Sequence, residues 1–292
     1  MASNATFVSK SGEGQARFSS KRLKKFFGYL VLWILSFLSL YPLAVMVLNS
    51  FKTDTEINGN PSGIPENFTL ENYTQIFAVQ GGLIGNFMNG IIIALITTVV
   101  SVFLAAMAAF AFSKYSFKGR NIIFAFLLST MMVPHEITIP PLFLIFSKLG
   151  WVNTFQGMIV PGLVSVFGLF MLRQYMLGVP NEIFEAARID GAGHWRLFWS
   201  IMVPIANPAI ASLSILQFLG TWNSYLWPII IAPDPSIQPI MAVLPTIRDQ
   251  QGYAPLWATI MTGCVLATLP VILVFVIFQD KFISGVTVGA VK

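Results

Sequence analysis

Five charged residues, Glu182, Glu185, Arg188, Asp190 and Arg196, fall between Arg173 and Ser200, while the runs on either side, Val160 to Leu172 and Ala209 to Leu219, carry no charge. Ionised side chains are expensive in hydrocarbon, so the chain leaves the apolar phase here and then re-enters it. Composition agrees: 55% of the residues are hydrophobic and 10% charged, against about 25% charged in a soluble domain. The 292 residues are therefore divided into apolar stretches of about 20 residues. The result is an all-α, polytopic membrane protein with six transmembrane helices.

Taken in order, residues 1–26 form a polar tail ending in the basic run Lys21 to Lys25. The apolar stretch after it is too long for the core of a cleaved signal peptide and reads as an uncleaved first span, about 27–50, with Pro42 expected to kink it. A polar loop rich in Asn, Gly and Pro leads to span two, 86–113, whose alanines at 105, 106, 108, 109 and 111 allow close helix packing. Span three, 121–146, contains Pro134, His135 and Glu136 and then Pro140 and Pro141, which are expected to interrupt regular helix. Span four covers 155–172, the charged loop 173–203, span five 204–231 and span six 256–278, with a tail over 279–292. The lone Cys264 sits in an apolar run and reads as a packed thiol.

Six spans put both ends of the chain on one side. Fourteen of the 17 Lys and Arg residues fall on the side of the charged loop, and only Lys52, Lys148 and Arg248 on the other. Because cytoplasmic loops collect Lys and Arg, the loop and both termini are expected to face the cytoplasm. The net charge of +5 thus reflects membrane topology, and no nucleic-acid partner is implied.

Within the loop, Asn181 is a good N-cap and Glu182 suits the positive end of a helix dipole. Glu185 and Arg188 share a face. The helix should stop over Gly191 to Gly193, where glycine tolerates the left-handed conformation. A second amphipathic piece, 194–202, carries Trp195, Leu197, Phe198 and Trp199 back towards the bilayer, with Pro204 at its junction with span five. The expected shape is a short helix, a glycine elbow and a second short helix.

The spacing Glu185-Ala186-Ala187, three residues, Gly191, nine residues, Ile201, one residue, Val203-Pro204 resembles the EAA loop of permease subunits from ATP-binding-cassette importers, with Val203 where that pattern has Leu. The stretch Phe218 to Pro228 and the closing Phe278 to Val291 are similar to the smaller permease of maltose-type carbohydrate importers. The resemblance implies the type I importer permease fold, in the cytoplasmic (inner) membrane of a bacterium. It also implies a second related permease, two ATPase subunits that bind ATP and Mg, an extracytoplasmic solute-binding protein and a carbohydrate ligand. This chain would bind no cofactor and no metal and would catalyse no reaction. Glu185, Ala186, Ala187, Asp190, Gly191 and Pro204 would form the coupling contact to the ATPase, with Glu185 meeting a basic group. Gln279 and Lys281 in the tail would also reach the ATPase subunits.

Candidates for the substrate path are Trp222, Asn223 and Tyr225, whose aromatic faces and amide suit sugars, and Glu136, the one acid placed inside a span. Trp and Tyr near a span's end also form interfacial belts, and Glu136 could instead cap backbone freed by its neighbouring prolines. Two rival functions remain on residues alone, a permease for a non-carbohydrate solute and a secondary transporter using Glu136 as proton carrier. A metalloenzyme lacks ligands, since His135 and His194 are the two histidines and lie on different segments. There is no phosphate-binding G-x-x-x-x-G-K-[ST] run. Membrane-impermeant labels should reach residues 173–203 from the cytoplasmic side alone; labelling of that segment from outside would overturn the topology.

Overall fold

The computed structural model describes residues 12–76, 82–247 and 254–287, the side chains of 12–24 and 279–287 excepted. Its regular elements are helical: α1 (Gly12–Asn49), α2 (Asp54–Gly59), α3 (Glu71–Gln75), α4 (Leu83–Lys114), α5 (Arg120–Thr130), α6 (His135–Lys148), α7 (Phe155–Ile159), α8 (Val166–Leu177), α9 (Glu182–Ile189), α10 (His194–Arg196), α11 (Val203–Trp222), α12 (Leu226–Ile231), α13 (Ile240–Val243) and α14 (Trp257–Thr287). Five segments are long and apolar enough to cross a membrane: Lys25–Asn49, Leu83–Lys114, Phe155–Leu177, His194–Trp222 and Trp257–Phe278. The pair α5 and α6 makes a sixth, bent by 97°.

The prolines differ in their effect. Helix α1 runs on through Pro42, and α6 contains both Pro140 and Pro141. The break in span three lies earlier, over 131–134, because Pro134 disfavours helical backbone at Val133 and itself adopts ψ 133°. Span five ends sooner than 231: α11 stops at Trp222, and α12 starts afresh at Leu226. Helix continues past 278 to Thr287, into the segment expected to be a tail.

Helix α4 is the centre of the bundle and packs against both α8 and α11. Ala105, Ala106 and Ala109 are buried there, with Leu172 and Met176 of α8 and Ala206 and Leu213 of α11 in the same cluster. Small side chains permit that approach, since dispersion contacts drive helix association in lipid. At the opposite end of α4, Trp222 fills a second cluster with Phe218, Leu83 and Ile260. It stacks on Phe218 and donates its indole N–H to the Ala267 carbonyl of α14 at 3.0 Å. Helix α1 contributes little to this core: residues 25–44 are exposed, and it meets α14 near its C-terminal end.

The described stretch after α1, residues 50–76, is stitched rather than loose. Lys52, fully buried, donates its ammonium to the Asn60 carbonyl at 2.7 Å. The Asn72 amide donates to the carbonyls of Ser50 and Lys52. Asp54 accepts the Ala258 N–H at 3.0 Å, so α14 receives its N-terminal cap from a residue 204 positions earlier. Between α12 and α13, the Ser236 amide donates to the Asp234 carboxylate at 2.8 Å and holds its pKa below the usual carboxylate range. Substituting Asp54→Ala should lower stability by about 1 kcal/mol, the value of an N-cap, and Asp54→Asn should keep most of it. Thermal unfolding of the two purified variants checks the difference.

Candidate functional site

The charged loop folds as a helix, an elbow and a second helix. Helix α9 buries Phe184 and turns Glu182, Glu185, Ala186, Arg188 and Ile189 outward, with Ala187 half-buried. Phe184 is 3% exposed and packs 6.0 Å from the Phe110 ring of α4. Ile189, by contrast, is 87% exposed on a segment otherwise rimmed by acids. Asn181 does not cap α9 through its side chain, for its own backbone is already helical at φ −72° and ψ −26°. Its carbonyl accepts the Phe184 and Glu185 amides, which frees its side-chain oxygen to accept from Lys114 at 3.0 Å.

The elbow closes as a Schellman motif. Ala192 donates to the Ala187 carbonyl and Gly191 to that of Arg188, at 2.9 and 3.0 Å, with Gly191 at φ +80°. Both bonds satisfy carbonyls that the helix end leaves open. A Cβ built on Gly191 meets nothing within 4 Å, so torsion alone demands glycine there. Gly193, at φ −74°, carries no such demand.

Beyond the elbow the chain stays helical from His194 to Trp222. Leu197–Met202 is a π-helical stretch in which Val203 donates to the Phe198 carbonyl, five residues back. Pro204, exposed, stands where this register returns to α-helix. Its ring carries no N–H, so it donates no bond back into the π-helical stretch. Trp199 stacks on Phe103 of α4 at 5.8 Å, and Phe198 is buried beside Phe110.

The end of α4 grips both halves of the loop. Lys114 donates to the Val179 carbonyl and to Asn181, and lies 5.2 Å from the Phe184 ring centre. The next residue, Tyr115, joins its hydroxyl to His194 Nδ1 at 2.7 Å and lies under the Arg188 guanidinium at 5.5 Å. Arg188 therefore turns to an aromatic face rather than back towards Glu185, whose carboxylate stands exposed. Lys114 and Tyr115 read in the sequence as parts of a short basic loop. Nothing in their spacing pointed to the charged loop, 60 to 80 residues further on.

A family model described as "binding-protein-dependent transport system inner membrane component" matches residues 101–288. The chain belongs to this family. That match takes in the second half of α4, from residue 101, and every later helix to the end of α14. Among the family's transport proteins, the arabinooligosaccharides transport system permease protein AraQ of Bacillus subtilis is 37% identical over 264 residues, 89% of this chain and 92% of AraQ. The lactose transport system permease protein LacG of Rhizobium radiobacter is 32% identical over 274 residues, 93% of this chain and 98% of LacG. A chain from the crystal structure of a bacterial ABC transporter involved in the import of the acidic polysaccharide alginate has the same fold. Its TM-score is 0.79 at 22% identity, with 95% of this chain and 100% of that chain covered.

The residues singled out for a substrate path do not form one group in this inner membrane component. Trp222 is 2% exposed with its N–H already bonded to Ala267, so it is a packing residue. Asn223 and Tyr225 are exposed at the break between α11 and α12. Glu136 lies in the first turn of α6, just after the 97° bend, and is exposed rather than enclosed by its own chain. The side chains of Gln279 and Lys281 lie outside the described residues. Replacing Gly191 by Ala should destabilise the loop by about 1 kcal/mol, and Gly193→Ala should be nearly neutral. Faster hydrogen exchange at the amides of residues 191 and 192 in the first variant alone checks this.

Proposed function

We propose that this chain is a permease subunit that passes a sugar or oligosaccharide inward, by alternating access coupled to a separate ATPase. The single observation that carries the coupling role is the outer face of α9. An almost fully exposed isoleucine, Ile189, is set among Glu182, Glu185 and Asp190 on a helix whose other face is anchored by Phe184. Such a surface suits an apolar groove bordered by basic groups on a soluble partner, and charge complementarity of this kind fixes register and partner choice.

In this reading the loop and both termini face the cytoplasm, and a second, related permease completes the pathway. Two ATPase subunits dock below, and the family's dependence on a binding protein supports a solute carrier on the other side. Nucleotide binding closes the ATPase pair, the docked loops move with it, and the two permeases rock between inward-facing and outward-facing states. Hydrolysis resets them. ATP and Mg belong to the ATPase subunits in this scheme. The sugar assignment is supported by the names of AraQ and LacG, which cover nearly all of this chain. Asn223, Tyr225 and Glu136 are the residues left open to contact a solute, and Gln279 and Lys281 the ones to meet the ATPase from the end of α14.

Reversing the charge at Glu185 tests the coupling assignment. Glu185→Arg should abolish ATP-driven uptake and cut the amount of ATPase that co-purifies with the permeases by about tenfold or more. Normal uptake with full ATPase retention in that variant would sink the assignment.

A further inference from the structure

We infer that Tyr115 is the positioning residue that passes movement of the charged loop to α4, an inference that rests on the importer reading above. By chain connection the loop is attached only to α8 and α11. Helix α4 is remote in sequence, yet it is the helix against which both of those pack. Besides the path through those two helices, a direct link from the loop to α4 is made by side chains.

Beside the packing of Phe198 and Trp199 on Phe110 and Phe103, two further anchors make it. Phe184 and Lys114 hold α9, through burial and through the ammonium's bonds to Val179 and Asn181. The three residues of α10 are held to the end of α4 by the Tyr115 hydroxyl and His194 Nδ1, 2.7 Å apart, with the rings 5.3 Å apart. Tyr115 also touches the first half of the loop, through Arg188 over its ring. It is itself fixed by the Phe110 edge at 5.4 Å and by its own amide, which donates to the Ala111 carbonyl at 3.2 Å. One side chain thus spans both arms of an elbow at which nothing packs against residue 191. Two bonds within the elbow hold the turn itself; Phe110 touches both arms through ring packing on Phe184 and Phe198, and Tyr115 adds the directional hydrogen bond and the cation contact.

Removing the hydroxyl should therefore leave α9 docked and the ATPase bound, while loosening α10 from α4. The test uses the assembled complex with a fluorophore on Met88→Cys in a Cys264→Ser background. Met88 is half exposed near the far end of α4 from Tyr115. ATP with vanadate is the probe, so no solute needs to be identified. The unmodified loop should give a nucleotide-dependent fluorescence change. Tyr115→Phe and His194→Ala should each reduce its amplitude by about fivefold or more, with ATPase retention and ATP hydrolysis unchanged. The double variant should be no worse than either single one, because both remove the same bond. His194→Asn, which keeps a polar nitrogen for the hydroxyl, should restore the amplitude.

Full amplitude in the single variants, or losses that add in the double, would overturn the inference. Should Tyr115→Phe fail to assemble, the exposed His194→Ala decides alone, and an unchanged amplitude there overturns it equally. A wild-type complex that assembles but shows no nucleotide response would refute the importer reading instead.

Discussion

In hydrocarbon a backbone N–H or C=O has no water to turn to, so each must find its partner along its own helix or from a nearby side chain. Several of the described departures from regular helix have such a substitute. The Thr154 hydroxyl accepts the Gly157 amide and that of Ser165 accepts from Gly168, one on each side of the 3₁₀ turn Val160–Leu163. Gln217 reaches the Gly162 carbonyl of that same turn from α11. Ahead of α14 the cap comes from Asp54. At Leu197–Met202 the hydrogen bonds are kept within the helix by slipping into π register. At the bend before α6 the amides of Met131, Met132 and Val133 are instead served by carbonyls three residues back.

That requirement sets where the charged loop can hang. Leaving the apolar phase at Leu177 and returning at His194 puts a short amphipathic helix beside the end of α4, and α4 supplies what the loop lacks. An eight-residue helix such as α9 is marginal in isolation, and its order comes from the burial of Phe184 and from Lys114. The same contacts leave its outer face with no task inside this chain, which is what makes Ile189 and the acids around it available to a partner.

Much of this was legible in the residues. The alternation of apolar runs with a charged island, the helix ending at Gly191 and the close packing allowed by the alanines of α4 are local properties, visible wherever they occur. What failed were features decided by neighbours distant in sequence. Asn181 has an N-cap's chemistry, but Lys114 claims its oxygen. Trp222 has the chemistry of a sugar platform, but Ala267 takes its N–H. Pro134, Pro140 and Pro141 were all expected to interrupt span three, and Pro134 alone does so, because the residue before a proline resists helical backbone, while Pro140 and Pro141 lie within α6. Tyr115 carried no local signal at all. Its importance comes from where the end of α4 arrives in the folded chain.

The elbow at Gly191 is a question of handedness more than of space. Its backbone lies in the region that a mirror-image amino acid prefers, and the volume around a substituent there is empty. A D-alanine introduced at this position by chemical synthesis or semisynthesis would sit without strain. It would also narrow the conformations open to the unfolded chain, so the loop would become firmer where the ordinary L-alanine loosens it.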